Sequence, residues 1–225
     1  MDTAYETATV DGYVDELAKT LRGPRRARRD LLAEARDGLC DAAEAYAEEG
    51  LSPEEAQARA VADFGPVAEV APEFQEELTA VQVRHTALLL FLGTPLLTLM
   101  WTFLWQIFPA GPGYAMRPGW FDVVAKTVDV MQLLTGLAGG VALWRLRRTR
   151  RSRRVAWVLG LLVWCQLPLM AVLSSALTET ANVLTAFDDY VPGMVATWVS
   201  LSFWGWKLWS AAHCLRTAGP APKGR

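Results

Sequence analysis

Two residues stand out for the chemistry their types and spacing would allow. Lys126 and Asp129 lie three positions apart inside the apolar stretch "FDVVAKTVDVMQLLTGLAGGVALW", residues 121–144. On a helix that spacing puts both on one face, where they can pair. Ionisable groups inside a bilayer are costly and mark ion, proton or ligand paths. A structural use competes with this reading: Lys126 snorkels outward toward Trp120 while Asp129 is neutralised beside it. Elsewhere the sequence offers little for catalysis. His85 and His213 fall at the ends of apolar runs. There is no HExxH, no GxxxxGK[ST] and no GxSxG, so zinc hydrolysis, P-loop nucleotide hydrolysis and a serine elbow lack support. Cys40, Cys165 and Cys214 are far apart without metal spacing and read as small apolar residues in a reducing compartment. No catalytic residue, cofactor or metal site is expected.

The elements that must position the pair are apolar helices. Four long stretches follow His85, and the reading assigns them to transmembrane helices at 86–108, 121–144, 155–177 and 193–215. A crossing needs roughly 20 predominantly apolar residues. The first and third satisfy this plainly. The second is weakened by Lys126 and Asp129, and the fourth is short but rich in aromatics. Helices are expected because lipid cannot satisfy backbone hydrogen bonds and no stretch alternates like a barrel strand.

Charge divides the chain at the same point. Residues 1–85 carry nineteen acids and nine bases, and the remainder five acids and thirteen bases. All ten tryptophans lie at or beyond Trp101. The stretch "RLRRTRRSRR", 145–154, contributes Arg145, Arg147, Arg148, Arg150, Arg151, Arg153 and Arg154 between the second and third spans. Short cytoplasmic loops collect such residues, and the run is expected to set topology and touch the anionic inner leaflet of the lipid bilayer. No aromatic stacking platform or recognition helix accompanies it, so direct nucleic-acid binding is not expected. The opposite loops, with Arg117 alone on one and Glu179, Asp188 and Asp189 on the other, are poor in bases. Both termini are therefore expected in the cytoplasm, as a multi-pass protein of the inner (plasma) membrane, and the acidic first twenty residues do not read as a signal peptide. Tryptophans near the span ends form an aromatic belt. Lys207 is expected to snorkel toward the cytoplasmic interface. Gly136 and Gly140 form a GxxxG that serves close packing within the bundle or between two copies, a homodimer.

The first half reads as helices with clear punctuation. After a flexible residue 1–9 segment, "VDGYVDELAKTLRG" places Val10, Val14, Leu17 and Leu21 on one face, ended at Gly23. Pro24 opens a long helix whose stripe is Leu31, Leu32, Ala35, Leu39, Ala42, Ala43 and Tyr46, stopped by Gly50. Ser52, Pro53 and Glu55 make a capping box for a third helix, with Ala56, Ala60, Val61 and Phe64 inward and Gly65 closing it. The fold class expected is all-α: a small cytoplasmic three-helix domain over 10–71, a helical linker at 72–85, the four-helix transmembrane bundle over 86–215, and a flexible tail at 216–225. Arg25, Arg26, Arg28 and Arg29 start the second helix with the sign least suited to its dipole. They are a candidate patch for docking a partner or the anionic leaflet.

The segment "YVDELAKTLRGPRRARRDLLAEARDGLCDAAEAYAEEGLSPEEAQARAVADFGPVAEVAPEFQEEL" resembles the permease-prefix, or HAAS-like, helical domain of bacterial membrane proteins, especially actinobacterial ones. The pattern is carried by "YVDELAKTLRGPRRARRDLLAE", "GLSPEEAQARAVADFG" and "VAPEFQEEL", over about residues 13–78. Domains of this kind precede membrane segments. Some precede ABC-type permease regions, and others belong to small membrane proteins encoded beside PadR-type transcription regulators. The resemblance implies an interaction or signalling module with no active site. Two expectations follow: a membrane-anchored regulatory protein with a cytoplasmic protein partner, such as a transcription regulator, or an accessory or permease-like subunit of an ABC-type transporter.

Overall fold

The computed structural model describes residues 9–107, 119–148, 152–180 and 191–219. Among these residues the chain is all-helical, with seven helices and no strand. They are α1 (Val10–Thr20), α2 (Arg25–Glu48), α3 (Pro53–Phe64), α4 (Val67–Ile107), α5 (Gly119–Arg148), α6 (Ser152–Thr180) and α7 (Val191–Ala218). The chain divides into two compact units, one of residues 1–82 with 216–225, the other of residues 83–215.

The first unit is built by punctuation and a small core. Thr9 caps α1 by accepting from the Gly12 amide. Ser52 and Glu55 form the reciprocal capping box on α3, with Pro53 in its first turn. Gly50 and Gly65 take φ of 101° and 96°, conformations that side chains with a Cβ rarely adopt. The core gathers Val10, Tyr13, Leu17, Leu21, Ala35, Leu39, Ala60, Val67 and Leu78. Tyr13 donates to the Gly65 carbonyl at 2.9 Å and meets Phe64 edge-on at 5.6 Å.

The structure extends this core beyond three helices. Helix α4 begins at Val67, five residues before the expected Pro72, and its first turns are core rather than linker. Val67 and Leu78 are buried there, with Ala71 and Phe74 packed beside them. Proline inside a helix costs about 3 kcal/mol. Burial of these apolar residues on both sides of Pro72 offsets that cost and carries the helix past it. At 41 residues, α4 is about 60 Å long.

The second unit has the opposite surface chemistry. Every exposed large hydrophobic residue among those described lies at or beyond Leu88, including Leu96, Phe103, Leu137, Val158, Val172 and Trp198. Three helices are long and apolar enough to cross a membrane, in the segments Val67–Leu104, Gly119–Arg148 and Ser152–Leu173. Helix α7 has the length, at 28 residues, but its tryptophans and serines lower its hydropathy below that of the other three.

The helices of this unit pack through small residues. A Cβ on Gly139 would stand 2.7 Å from the Ala87 carbonyl of α4, and one on Gly136 only 2.8 Å from the Thr94 hydroxyl. Gly140 meets Phe91. Helix α7 runs antiparallel along α4: Ser210 touches Thr86 at 2.7 Å, Phe203 fills the space over Gly93, and Trp101 donates to Ser200 at 3.0 Å. Thr135 joins α5 to α6 through Gln166, and Leu215 packs on Gly160 to join α7 to α6.

Candidate functional site

The expected pair does not form. Lys126 and Asp129 are both exposed on α5, and they are not joined as Arg29–Asp30, Arg36–Asp11 and Arg59–Asp63 are. The helix presents its glycine face, Gly136 and Gly139, to α4; Lys126 and Asp129 lie about two to four turns before these glycines and are exposed there. Of the two uses expected for the GxxxG of Gly136 and Gly140, packing within the bundle is seen: both glycines meet residues of α4.

Lys207 corrects the sequence reading more sharply. It does not snorkel: it is 1% exposed and the largest fully buried side chain of the described residues. Its Nζ has no hydrogen-bond partner and lies 4.7 Å from the centre of the Trp204 ring. Phe203, Lys207 and Ser210 share one face of α7, and that face meets α4 at Gly93 and Thr86. A helical side chain leans toward its helix N-terminus, so the ammonium reaches the level of Phe203 and thus of Gly93 and Thr94.

Polar groups from the other helices stand near this level. Thr94 is fully buried and faces Gly136. The neighbouring Thr135 hydroxyl lies 2.9 Å from Gln166 Oε1 and 2.7 Å from the Met131 carbonyl, to either of which it can donate. The other end of that amide, Gln166 Nε2, is buried without a partner, as is Gln132 Oε1 one turn from Thr135. Thr94, Thr135, Gln166 and Lys207 thus form a polar layer with one member from each of α4, α5, α6 and α7. An unpaired ammonium in such surroundings costs several kcal/mol after relaxation, and a desolvated cation–π contact returns about 2 kcal/mol. The difference is what marks this layer as a site. Sequence reasoning missed it because Gln132, Thr135 and Gln166 are ordinary polar interruptions in apolar runs.

Among the described residues no carboxylate stands ready to neutralise Lys207. Helix α4 from Val83 onward and α7 contain neither Asp nor Glu. Asp122 and Asp129 of α5 are exposed. Glu179 of α6 is about 20 Å along the helix from Gln166. Among the described residues no group of three or more His, Cys, Asp or Glu could hold a metal ion. Cys214 is buried, 3.5 Å from the Thr86 hydroxyl. His213 lies on Trp209 at 4.2 Å, while His85 is exposed.

The two basic regions are separate features. Arg25, Arg26, Arg28 and Arg29, with Leu32, line an open depression at the start of α2. That helix end has no side-chain cap and no acid in its first turn. Arg28 donates to the Leu21 carbonyl at 3.4 Å. In the second region Arg145, Arg147 and Arg148 end α5 and Arg153 and Arg154 begin α6, all exposed, with Arg148 over the Trp144 ring. Arg150 and Arg151 lie outside the described residues, as do Arg117, Asp188 and Asp189.

One further side chain organises the first unit. Gln75 Oε1 accepts from the Arg22 amide at 2.8 Å, while its Nε2 donates to the Arg22 carbonyl at 2.8 Å and to the Thr217 carbonyl at 3.1 Å. Thr79 also reaches Thr217, at 3.1 Å. One amide therefore holds the turn leading into the arginine patch, the first part of α4 and the last turn of α7. Its role was not visible in the sequence, because an isolated glutamine on a helix carries no sign of its partners. No family model, curated protein or solved structure matches the chain.

Proposed function

We propose that the chain is a membrane-anchored regulatory protein. In this reading α4–α7 form a four-helix transmembrane bundle, the first unit lies in the cytoplasm, and that unit binds and releases a cytoplasmic protein partner. The observation that carries it is the hydrogen bond from Gln75 to Thr217. Residues joined in this way lie on one side of a membrane, so the chain between them crosses an even number of times. Three apolar helices then call for a fourth crossing, and α7 supplies the length. The same parity returns the arginines of 145–154 to the side of the first unit, which the positive-inside rule makes cytoplasmic. Arginines so placed would contact the anionic leaflet.

A regulatory role follows from the connections. Helix α4 runs without a break from the core of the first unit into the apolar unit. The last turn of α7 is tied to the first unit through Gln75 and Thr79. A shift of α4 against α7 therefore has a direct route to the turn at Arg22 and to Arg25, Arg26, Arg28 and Arg29, the surface offered to the partner. The likeness of residues 13–78 to permease-prefix domains supports an interaction module. No enzymatic step is assigned. The buried layer around Lys207 favours a second reading, an accessory or permease-like subunit of an ABC-type transporter, because a polar bundle interior suits a transported solute.

Purification separates the two readings. The full chain, tagged at its C-terminus, would be solubilised gently from native membranes at low salt beside a variant with Arg25, Arg26, Arg28 and Arg29 changed to Ala. A soluble regulator recovered with the native chain and lost with the variant is the expected result. Recovery of an ABC-type ATPase with both would establish the second reading, and recovery of neither would contradict both.

A further inference from the structure

We infer that the polar layer of the apolar unit is a binding site for one small monovalent anion, a halide or a carboxylate, held by Lys207 Nζ and Gln166 Nε2. Both atoms are buried donors without a protein acceptor. Gln166 is 7% exposed and Lys207 1%. They come from neighbouring helices, α6 and α7, which Gly160 and Leu215 bring together. A buried cation needs a paired anion to be tolerated, and the helices around it offer no carboxylate at this depth. Two unsatisfied donors on neighbouring helices answer that need when an acceptor with one negative charge binds both.

Charge and space set the class of ligand. One lysine compensates one charge, and no second base stands in the layer. The room that glycines would leave is already taken: Phe203 fills the space over Gly93 and Thr94 that over Gly136. A phosphate dianion or a lipid headgroup is too large and too charged for such a layer. Chloride or a short carboxylate is not. Trp204 covers the lysine from its own helix, its ring centre 4.7 Å from Nζ. The inference rests on the packing of α4–α7 alone, so it stands apart from the regulatory reading and goes beyond it.

The test uses the full chain in nanodiscs of zwitterionic lipid, at constant ionic strength with gluconate as the balancing anion. Binding of isotopic chloride and of labelled acetate is measured directly, and thermal unfolding is followed by tryptophan fluorescence. Saturable binding of about one chloride or acetate per chain is expected, with a matching rise in the unfolding midpoint. The two arms show which anion is preferred. Lys207→Met should abolish binding, and Gln166→Leu should weaken it about tenfold, the loss of one hydrogen bond to a charge. Absence of saturable binding of either anion to the native chain would overturn the inference, as would equal binding by Lys207→Met. Should Lys207→Met fail to insert, unchanged affinity in Gln166→Leu would overturn it as well.

Discussion

Gln75 donates from its side-chain amide to the carbonyl of Thr217 at 3.1 Å, across 142 residues of sequence. The same amide grips both backbone groups of Arg22. A single side chain thereby fastens the beginning of the long helix to the end of the last one. In the proposed reading, that bond makes the number of crossings between the two residues even.

Removing that amide should loosen all its partners together. Gln75→Leu leaves the Arg22 amide and carbonyl without this partner in a half-buried setting, at a cost of about 1–3 kcal/mol. Hydrogen exchange should accelerate at Arg22 and in the last turn of α7, while the capping box of α3 keeps its protection. Unchanged exchange at the end of α7 would show that the bond does not hold there in solution.

Lys207 gives a prediction with an unusual sign. An unpaired buried charge is destabilising, so Lys207→Met, of similar length and apolar, should raise the thermal midpoint in gluconate buffer, where no small anion offsets the charge. Lys207→Ala removes the stem as well and leaves a cavity, costing about 2–5 kcal/mol as other large-to-small core changes do. A fall in stability for Lys207→Met would place the amine in contact with water or a partner group.

The glycines of the apolar unit should separate into two kinds. Gly139→Ala sets a methyl 2.7 Å from the backbone oxygen of Ala87, which cannot swing aside, so the helices must part at a cost of about 1–3 kcal/mol. Gly205 faces open space, and Gly205→Ala should gain up to about 1 kcal/mol from helix propensity. Comparative melting of the two variants in nanodiscs checks the packing of α5 on α4. Equal effects would contradict it.

Acid should weaken the start of α3. Ser52 donates to Glu55 from its amide at 3.1 Å and from its hydroxyl at 2.8 Å. These bonds hold the Glu55 carboxyl below its usual range, chiefly through the Ser52 hydroxyl. A carboxyl depressed in the folded state stabilises above its unfolded pKa, and the contribution fades as pH falls through the folded value. Glu55 is fully exposed, so the effect is small. Ser52→Ala should cost about 1 kcal/mol at neutral pH and flatten the acid dependence. Amide exchange in the first turn of α3, followed from neutral to acidic pH, measures both.

The first unit was legible because its signals are local. Ser52, Pro53 and Glu55 cap a helix through contacts within three residues, and Gly50 and Gly65 stop helices through their own backbone angles. What was hidden depends on helix phase and register. Pro72 suggested a helix start, yet Val67 and Phe74 draw the helix back through it by burial. Lys126 and Asp129 have the spacing of a pair, but each is exposed on α5, and spacing alone does not reveal whether two side chains meet. Lys207, near the end of an apolar run, resembles any snorkelling lysine until Phe203 and Ser210 are seen to seat that face on α4. Gly139, outside the GxxxG pattern, makes a closer approach to the α4 backbone than either Gly136 or Gly140.

The most direct measurement is of sidedness. In a chain with Cys40, Cys165 and Cys214 replaced by Ala, single cysteines introduced as Ser52→Cys and Lys223→Cys would be exposed to a membrane-impermeant maleimide in intact cells and after lysis. The regulatory reading, with four crossings and the Gln75–Thr217 bond intact, predicts that neither site is labelled in intact cells and both are labelled after lysis. Labelling of Lys223→Cys alone in intact cells would mean an odd number of crossings. It would contradict both the bundle and the tie between the two ends of the chain.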